Sequence, residues 1–393
     1  SHIIHSQANL HESFGGIFPN LAKREHVKNI MPVISEALKQ AELLEISEIS
    51  HAKWEFDHSS HDFQIQENEN SAGSQKYHIR DDELRDSCND FLKKTLQPDI
   101  DHIVVTYGPG LEPALWVGIQ VAEMLGSTWQ IPVSGINHME GHIVSAWIPK
   151  LQDGIQYDKH MVLEPELFFP SLSLLVSGGH TELVVSQNIG DHTVLGKTRD
   201  DAVGEAFDKV ARLMDLAYPG GPKISQYATN YKEKTSGHNM QNLSKNLHLP
   251  RPMLHSRDLD FSFSGLKSAV RRYVDAHSPL SESDKEELAY EFQEAVVEVL
   301  ISKTMSAVES ASHVTGISSP EKIHVILAGG VSANHLLRER LSKELTTNTL
   351  HTPAFALCGD NALMIGVAGA LKIFFTPDSL KYSPMKAEGS LEL

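Results

Sequence analysis

Two histidines four residues apart, His138 and His142, sit in the stretch "NHMEGHIVSAW" ahead of an apolar run. On a helix, residues four apart share a face, so both imidazoles can reach one ion. A helical histidine pair also occurs as ordinary surface or core, so the pair needs a third ligand to make a site. The best remote candidate is Asp360, in "LCGDNALMIG", an acid at a turn opening a helix. Two imidazoles and a carboxylate suit zinc or iron and leave coordination positions open. Glu140 lies two residues from each histidine and points elsewhere on a helix. The pattern is therefore not HExxH, in which the glutamate is the general base of a metallopeptidase.

Glycine-rich turns form the second constellation. Ser177-Gly178-Gly179-His180-Thr181 and Ala328-Gly329-Gly330-Val331-Ser332-Ala333-Asn334 each follow an apolar strand, and Tyr218-Pro219-Gly220-Gly221-Pro222 lies between them. Glycines let backbone N–H groups approach a phosphate, and a helix N-terminus adds partial positive charge. Tight turns need glycine in any case, and the turns fit neither the P-loop nor the dinucleotide fingerprint. Asp208, in "GEAFDKVAR", could accept hydrogen bonds from a ribose hydroxyl, or belong to a solvated charge network with Glu205 and Arg212. "RPMLHSRDLDFSFSGLKSAVRRYV" (residues 251–274) is the one basic stretch with interleaved aromatics. It reads equally as an RNA-phosphate contact and as a solvated helix face.

Apolar strands and amphipathic helices alternate to carry these residues. "HIVVTYGPG" reads as a buried strand entering a turn, and "IPVSGIN" as a short strand leading directly into HMEGH. "SLSLLVSGGHTELVVSQ" reads as a β-hairpin. "DDAVGEAFDKVARLMDL" reads as an amphipathic helix opened by acids. "KIHVILAGGVSANHLLRERLSKEL" is strand, glycine turn, helix, and "CGDNALMIGVAGALKIFF" a turn and final helix. The alternation predicts an α/β fold. Residues 47–90 are polar and without period, and predict a surface insertion or mobile loop.

The chain has 393 residues, which predicts two domains or lobes. Lys plus Arg number 34 against 51 Asp plus Glu, a net charge of −17. A surface that acidic repels nucleic-acid backbones on average, so an RNA substrate would need a local basic patch or a partner. Two cysteines, Cys88 and Cys358, exclude a disulfide framework and a thiolate zinc cluster. No apolar stretch is long enough to span a bilayer.

Taken in order, HMEGH, VSGGHTEL, DDAVGEAFDKVAR, YPGGP, LDFSFSGLK and AGGVSAN resemble the tRNA N6-adenosine threonylcarbamoyltransferase family, formerly called the O-sialoglycoprotein endopeptidase or glycoprotease family. "FGGIFPNLAKREHV" and "DIDHIVVTYGPGLEPALWVG" extend the likeness, which runs over residues 6–370 and is nearer the bacterial and organellar form than the archaeal one. The resemblance implies the two-lobed actin-like ATPase fold (ASKHA), with the active site in the inter-lobe cleft. The implied lobes are residues 1–140, with the polar insertion at about 47–90 and residues 360–393 returning, and residues 141–359. It implies metal ligands at His138, His142 and Asp360, holding one divalent ion, Fe(2+) or Zn(2+). It implies substrate contacts at Val176, Ser177, Gly178, Gly179, His180, Asp208, Gly221 and Asn334. The implied reaction moves the threonylcarbamoyl group from threonylcarbamoyl-AMP to N6 of adenosine 37 in tRNAs reading ANN codons, releasing AMP. Implied partners are tRNA, a TsaB-like paralogue and a TsaE-like ATPase, with no membrane. The implied compartment is the bacterial cytoplasm, an organelle being the other one open.

Three departures stand out. The family opens with a strand and turn of the type GIETSCDET, which has no counterpart here, so the first lobe is expected to lack its opening strands. The polar region is longer than usual, and the C-terminal pattern around RPRWPL is absent. Three other functions compete. A metallopeptidase would depend on His138 and His142 but lacks a suitably spaced glutamate. An actin-like ATP hydrolase or kinase would need the phosphate-binding first hairpin. A non-catalytic truncated scaffold would bind neither metal nor nucleotide.

Overall fold

A computed structural model describes residues 2–7, 10, 18–44, 79, 81–148, 168–235, 247–316 and 322–393. In chain order the helices and strands that matter are α1 (Pro19–Gln40), α2 (Asp82–Lys94), β1 (Ile103–Gly108), α3 (Glu112–Trp129), β2 (Val133–Asn137), α4 (His138–Ser145), β3 (Ser171–Val176), β4 (Thr181–Asn188) and β5 (Asp191–Lys197). They continue with α5 (Val203–Leu213), α6 (Gly220–Thr235), α7 (Ser264–His277), α8 (Glu282–Thr315), β6 (His324–Ala328), α9 (His335–Glu344), β7 (Leu350–His351), α10 (Ala362–Phe375) and β8 (Lys381–Tyr382). The architecture is mixed α/β with two sheets.

The described chain divides into two compact units, one within Ser1–Gln7, Ile17–His138 and Ala368–Glu392, the other within Met139–Val367. In the first unit the sheet order is β1-β2-β8, with β1 and β2 parallel and β8 antiparallel to β2. Val27 and Met31 of α1, Leu84 and Cys88 of α2, and Val117, Val121, Met124 and Trp129 of α3 close one core. Burial pushes the Cys88 thiol up to about 12, so it stays a protonated apolar filler. Two expectations are corrected here. Residues 82–90 are the body of α2 rather than loop, because the Asp81 carboxylate caps Leu84 N–H and Leu84 and Cys88 give the segment an apolar face. Residues 47–78 and 80 of the polar stretch, "FDHSSHDFQIQENENSAGSQKYH" included, lie outside the described residues. Strand β1 is half-buried rather than buried over most of its length.

The second unit is built on a sheet of order β5-β4-β3-β6-β7. The β3–β4 hairpin is antiparallel, and β6 runs parallel to β3, pairing Leu175 with Ala328 at the strand ends. Both glycine turns therefore leave the sheet at the same end. Helix α8 is long and well capped, with Ser281 and Asp284 forming a capping box. It buries Leu288, Phe292, Val296 and Leu300 against α5, α6 and the sheet. The acids ahead of α5 do not cap it, since the N-cap is Ala202 without a side-chain cap bond. Asp200 instead accepts from the hydroxyls of Ser262 and Ser264 and from Phe263 N–H, and Asp201 pairs with Lys209 and Lys267. The two aspartates tie "LDFSFSGLK" to the start of α5.

That tie gives a pH-dependent prediction. Burial alone would raise the Asp200 carboxyl, but the Ser262 and Ser264 hydroxyls and the Phe263 and Ser264 amides hold it below its ordinary value of 3.8. A depressed folded pKa gives stability that is present above 3.8 and lost as pH falls through the folded value. Asp200→Ala is expected to cost about 1 kcal/mol at pH 7, since Asp200 is exposed and water screens and replaces part of these hydrogen bonds. Thermal melts of both proteins are expected to converge as the pH falls below that range.

Among the described residues, no helix is long and apolar enough to cross a membrane.

Candidate metal centre and glycine cradle

Strand β2 passes into α4 without a loop, so His138 is the first residue of that helix and His142 stands one turn later. The division between units falls after His138. Gly141 lets this helix come close to the first turn of α10. A Cβ there would meet Ile365 Cδ1 at 2.8 Å and Met364 Cγ at 3.1 Å. That approach brings the turn ahead of α10 alongside the histidines. Within that turn Asn361, not Asp360, caps the helix, its Oδ1 accepting from Met364 N–H at 2.9 Å. Asp360 stands one residue outside the helix with its side chain 77% exposed.

One ligand atom each from His138, His142 and Asp360 lies within 4.8 Å of the others. His142 Nε2 is 3.3 Å from Asp360 Oδ1, and the His142 side chain is 0% exposed. The donor set fits a divalent ion of the zinc or iron type. Two imidazoles and one carboxylate are borderline nitrogen and oxygen donors, and a three-ligand set leaves positions for water or substrate. Asp360 is held near by the turn preceding it. Arg338 of α9 donates to Pro353 O at 3.0 Å and Cys358 Sγ at 3.0 Å, and lies 4.2 Å over the Phe355 ring. It also bonds Ser332 O, in the second glycine turn. One guanidinium thus ties the turn before Asp360 to the AGGVSAN turn. Sequence reading missed Arg338, which lies mid-helix with nothing in its neighbours to mark it.

The glycine turns gather at the end of the sheet where β3 and β6 finish. The short 3-10 segment Gly330–Ala333 packs against β3, β6 and α5, and α5 packs against α6. Gly329 has φ +92°, and a Cβ on it would lie 2.5 Å from Val176 O. Only glycine fits this left-handed position pressed on the end of β3. By contrast a Cβ on Gly178, Gly179, Gly221 or Gly330 would meet nothing within 4 Å. These four present bare backbone to open space.

The remaining sequence-derived candidates fall around the same turns, several with structural duties. Val176 ends β3 fully buried. Ser177 Oγ accepts from Gly179 N–H at 3.3 Å and His180 N–H at 3.0 Å, shaping the turn from inside. Asp208 Oδ1 accepts from Gly220 N–H at 2.7 Å, fixing the turn that opens α6 beside Gly221. Burial raises the Asp208 carboxyl above its ordinary value, partly offset by the Gly220 bond and Arg212. The nearby charge network runs through Lys209, which reaches Glu205 and Asp201 at 2.7 Å each. Asn334 caps α9 through Leu337 N–H, while its Nδ2 donates to Ser225 and Gln293. In the basic stretch Arg251 is committed to Glu291 and Glu298, and Lys267 to Asp201, which leaves Arg257, Arg271 and Arg272 exposed.

Against this geometry the likeness to known proteins is decisive. The model of the family described as "TsaD: tRNA N6-adenosine threonylcarbamoyltransferase" matches residues 1–52 and 86–367, so the match is broken inside the polar stretch. The chain belongs to the tRNA N6-adenosine threonylcarbamoyltransferase family. The tRNA N6-adenosine threonylcarbamoyltransferase of Methylobacillus flagellatus is 36% identical over 377 residues, covering 95% of this chain and 86% of that protein. The one from Paraburkholderia xenovorans is 37% identical over 382 residues, covering 96% and 86%. Among solved structures, full-length HypF in its phosphate- and nucleotide-bound form aligns with 76% of this chain and 43% of its own at a TM-score of 0.38 and 12% identity, too distant to carry an argument. Threonylcarbamoyltransferases are tRNA-modifying transferases.

Proposed function

We propose that this chain transfers the threonylcarbamoyl group from threonylcarbamoyl-AMP to N6 of adenosine 37 in tRNAs reading ANN codons, with AMP as leaving group, on a two-lobed actin-like fold. The observation that carries the reading is the convergence of His138, His142 and Asp360 to within 4.8 Å in a member of this family. These three would hold one Fe(2+) or Zn(2+). Such an ion supplies Lewis acidity and a template for the threonylcarbamoyl group.

The residues of the chain then have separable tasks. Open backbone at Gly178, Gly179, Gly221 and Gly330 receives the adenylate phosphate, where charge grows as AMP departs. The second oxygen of Asp208 accepts from a ribose hydroxyl, its first being held by Gly220 N–H. Val176 and His180 bound the turn, and Ser177 and Asn334 act by shaping it, since their polar atoms are largely occupied. The attacking arylamine is a poor nucleophile, and positioning supplies most of the rate. Exposed Arg257, Arg271 and Arg272 are the groups available for tRNA phosphates on an otherwise acidic chain. A TsaB-like paralogue and a TsaE-like ATPase are the proposed protein partners, in a bacterial-type cytoplasm.

The test is incubation of the chain with threonylcarbamoyl-AMP and unmodified tRNA, with and without those partners, followed by nucleoside mass spectrometry. Threonylcarbamoyladenosine is the expected product. Proteolysis without any modified nucleoside would favour the metallopeptidase.

A further inference from the structure

Glu140 sits between the two histidines in sequence, but two residues along a helix turn it to another face. Its side chain is only 11% exposed, and its Oε1 lies 3.4 Å from Nε2 of His192, itself 7% exposed. His192 belongs to β5, far in sequence from HMEGH. The other ring nitrogen, Nδ1, is 2.8 Å from the Ser186 hydroxyl on β4, the residue paired with His192 across the two strands. Ser186 is completely buried.

The donor and acceptor roles follow from the chemistry of the ends. A carboxylate only accepts, so the tautomer that serves Glu140 is the one with its proton on Nε2, 3.4 Å from Glu140 Oε1. Nδ1 must then accept, and the Ser186 hydroxyl donates to it. The chain Ser186, His192, Glu140 thus runs in one direction from the sheet to the helix that bears the histidine pair. Helix α4 is only 8 residues long and every residue after His138 is buried, so its packing and the Glu140 contact together set its rotation.

We propose that Glu140, His192 and Ser186 are positioning residues that lock the rotation of α4, so that His138 and His142 both face Asp360. The inference rests on the metal reading above. It concerns a polar tether reaching the back of the helix, not the ligands themselves.

The experiment measures Co(2+) and Zn(2+) binding by competition with a chromophoric chelator, together with the visible spectrum of the Co(2+) form, on the full chain. His192→Phe keeps an aromatic ring and removes the Ser186 hydrogen bond and the Glu140 contact. It is expected to weaken Zn(2+) binding about tenfold or more, the scale of losses when outer partners of a metal site are removed, and to change the Co(2+) spectrum. His192→Gln, whose amide N–H can still reach Glu140, is expected to recover most of the affinity. Glu140→Leu cuts the same tether from the helix side and is expected to match His192→Phe, which keeps the test open should His192→Phe not fold. His138→Ala runs alongside. Zn(2+) binding lost in His138→Ala but unchanged in His192→Phe or Glu140→Leu would overturn the tether alone. Wild-type chain that binds neither ion, or binds them equally well as His138→Ala, would overturn the metal reading and the tether with it.

Discussion

Asp360→Ala is expected to lower threonylcarbamoyl transfer at least about a hundredfold while leaving the fold intact. A Lewis-acid ion is worth several kcal/mol of transition-state stabilisation, and about 1.4 kcal/mol is tenfold in rate. The Asp360 side chain is 77% exposed and stands outside α10, whose cap is Asn361. Removing it should therefore shift stability by no more than about 0.5 kcal/mol, the range for exposed sites away from caps and cores. His142→Ala makes a less clean probe, because that ring is wholly buried and its loss leaves a cavity. Metal analysis, a thermal melt and a nucleoside assay on Asp360→Ala together separate lost chemistry from lost structure. Full activity in a chain that no longer retains metal would contradict the assigned role.

The glycine turns give the second large effect, and it divides by position. Gly329→Ala places a Cβ 2.5 Å from Val176 O and 2.8 Å from Val176 C, in a left-handed conformation. Both neighbours are backbone at the end of β3, so nothing flexible can give way. Strain at such a backbone position costs about 1–3 kcal/mol, and forced overpacking costs about 1–3 kcal/mol more. At about 2–4 °C per kcal/mol for a unit of this size, the expected fall in Tm is roughly 10 °C. Gly221→Ala and Gly178→Ala meet open space and are expected to melt within a degree or two of wild type. They put a methyl where a phosphate should meet bare backbone. Losing one charge-assisted hydrogen bond, about 1.5–3 kcal/mol, should raise KM for threonylcarbamoyl-AMP about tenfold or more. Differential scanning calorimetry and initial rates on the three variants give the two halves of the pattern.

Much of this was legible in the sequence, for definite reasons. The hairpin "SLSLLVSGGHTELVVSQ" and the strand–turn–helix "KIHVILAGGVSANHLL" carry dense apolar strands cut by glycine pairs, a signal that few other structures give. The pairing of His138 and His142 was legible because helical spacing fixes which face two residues share, whereas acids at helix-opening turns are common and the approach of Asp360 to the pair shows only in the fold. Strand β5 was less legible, since it is an edge strand with exposed polar positions and weak alternation. The pair of aspartates before α5 looked like dipole-favoured helix openers. They serve a segment some sixty residues away instead, which no local rule contains. Asp360 and Asn361 could not be told apart as caps until the backbone showed which one Met364 N–H meets. His192 and Arg338 carry no local mark at all. Their duties exist only because distant elements pack beside them.

The central claim is that the trio holds one ion on which transfer depends, and stripping the ion tests it most directly. The chain would be freed of metal with a strong chelator, checked for fold, and assayed for threonylcarbamoyladenosine as Fe(2+) or Zn(2+) is added back. No product is expected from the stripped chain, followed by a rise in proportion to added ion and a plateau at one equivalent per chain. Undiminished product from the stripped, folded chain would contradict the claim.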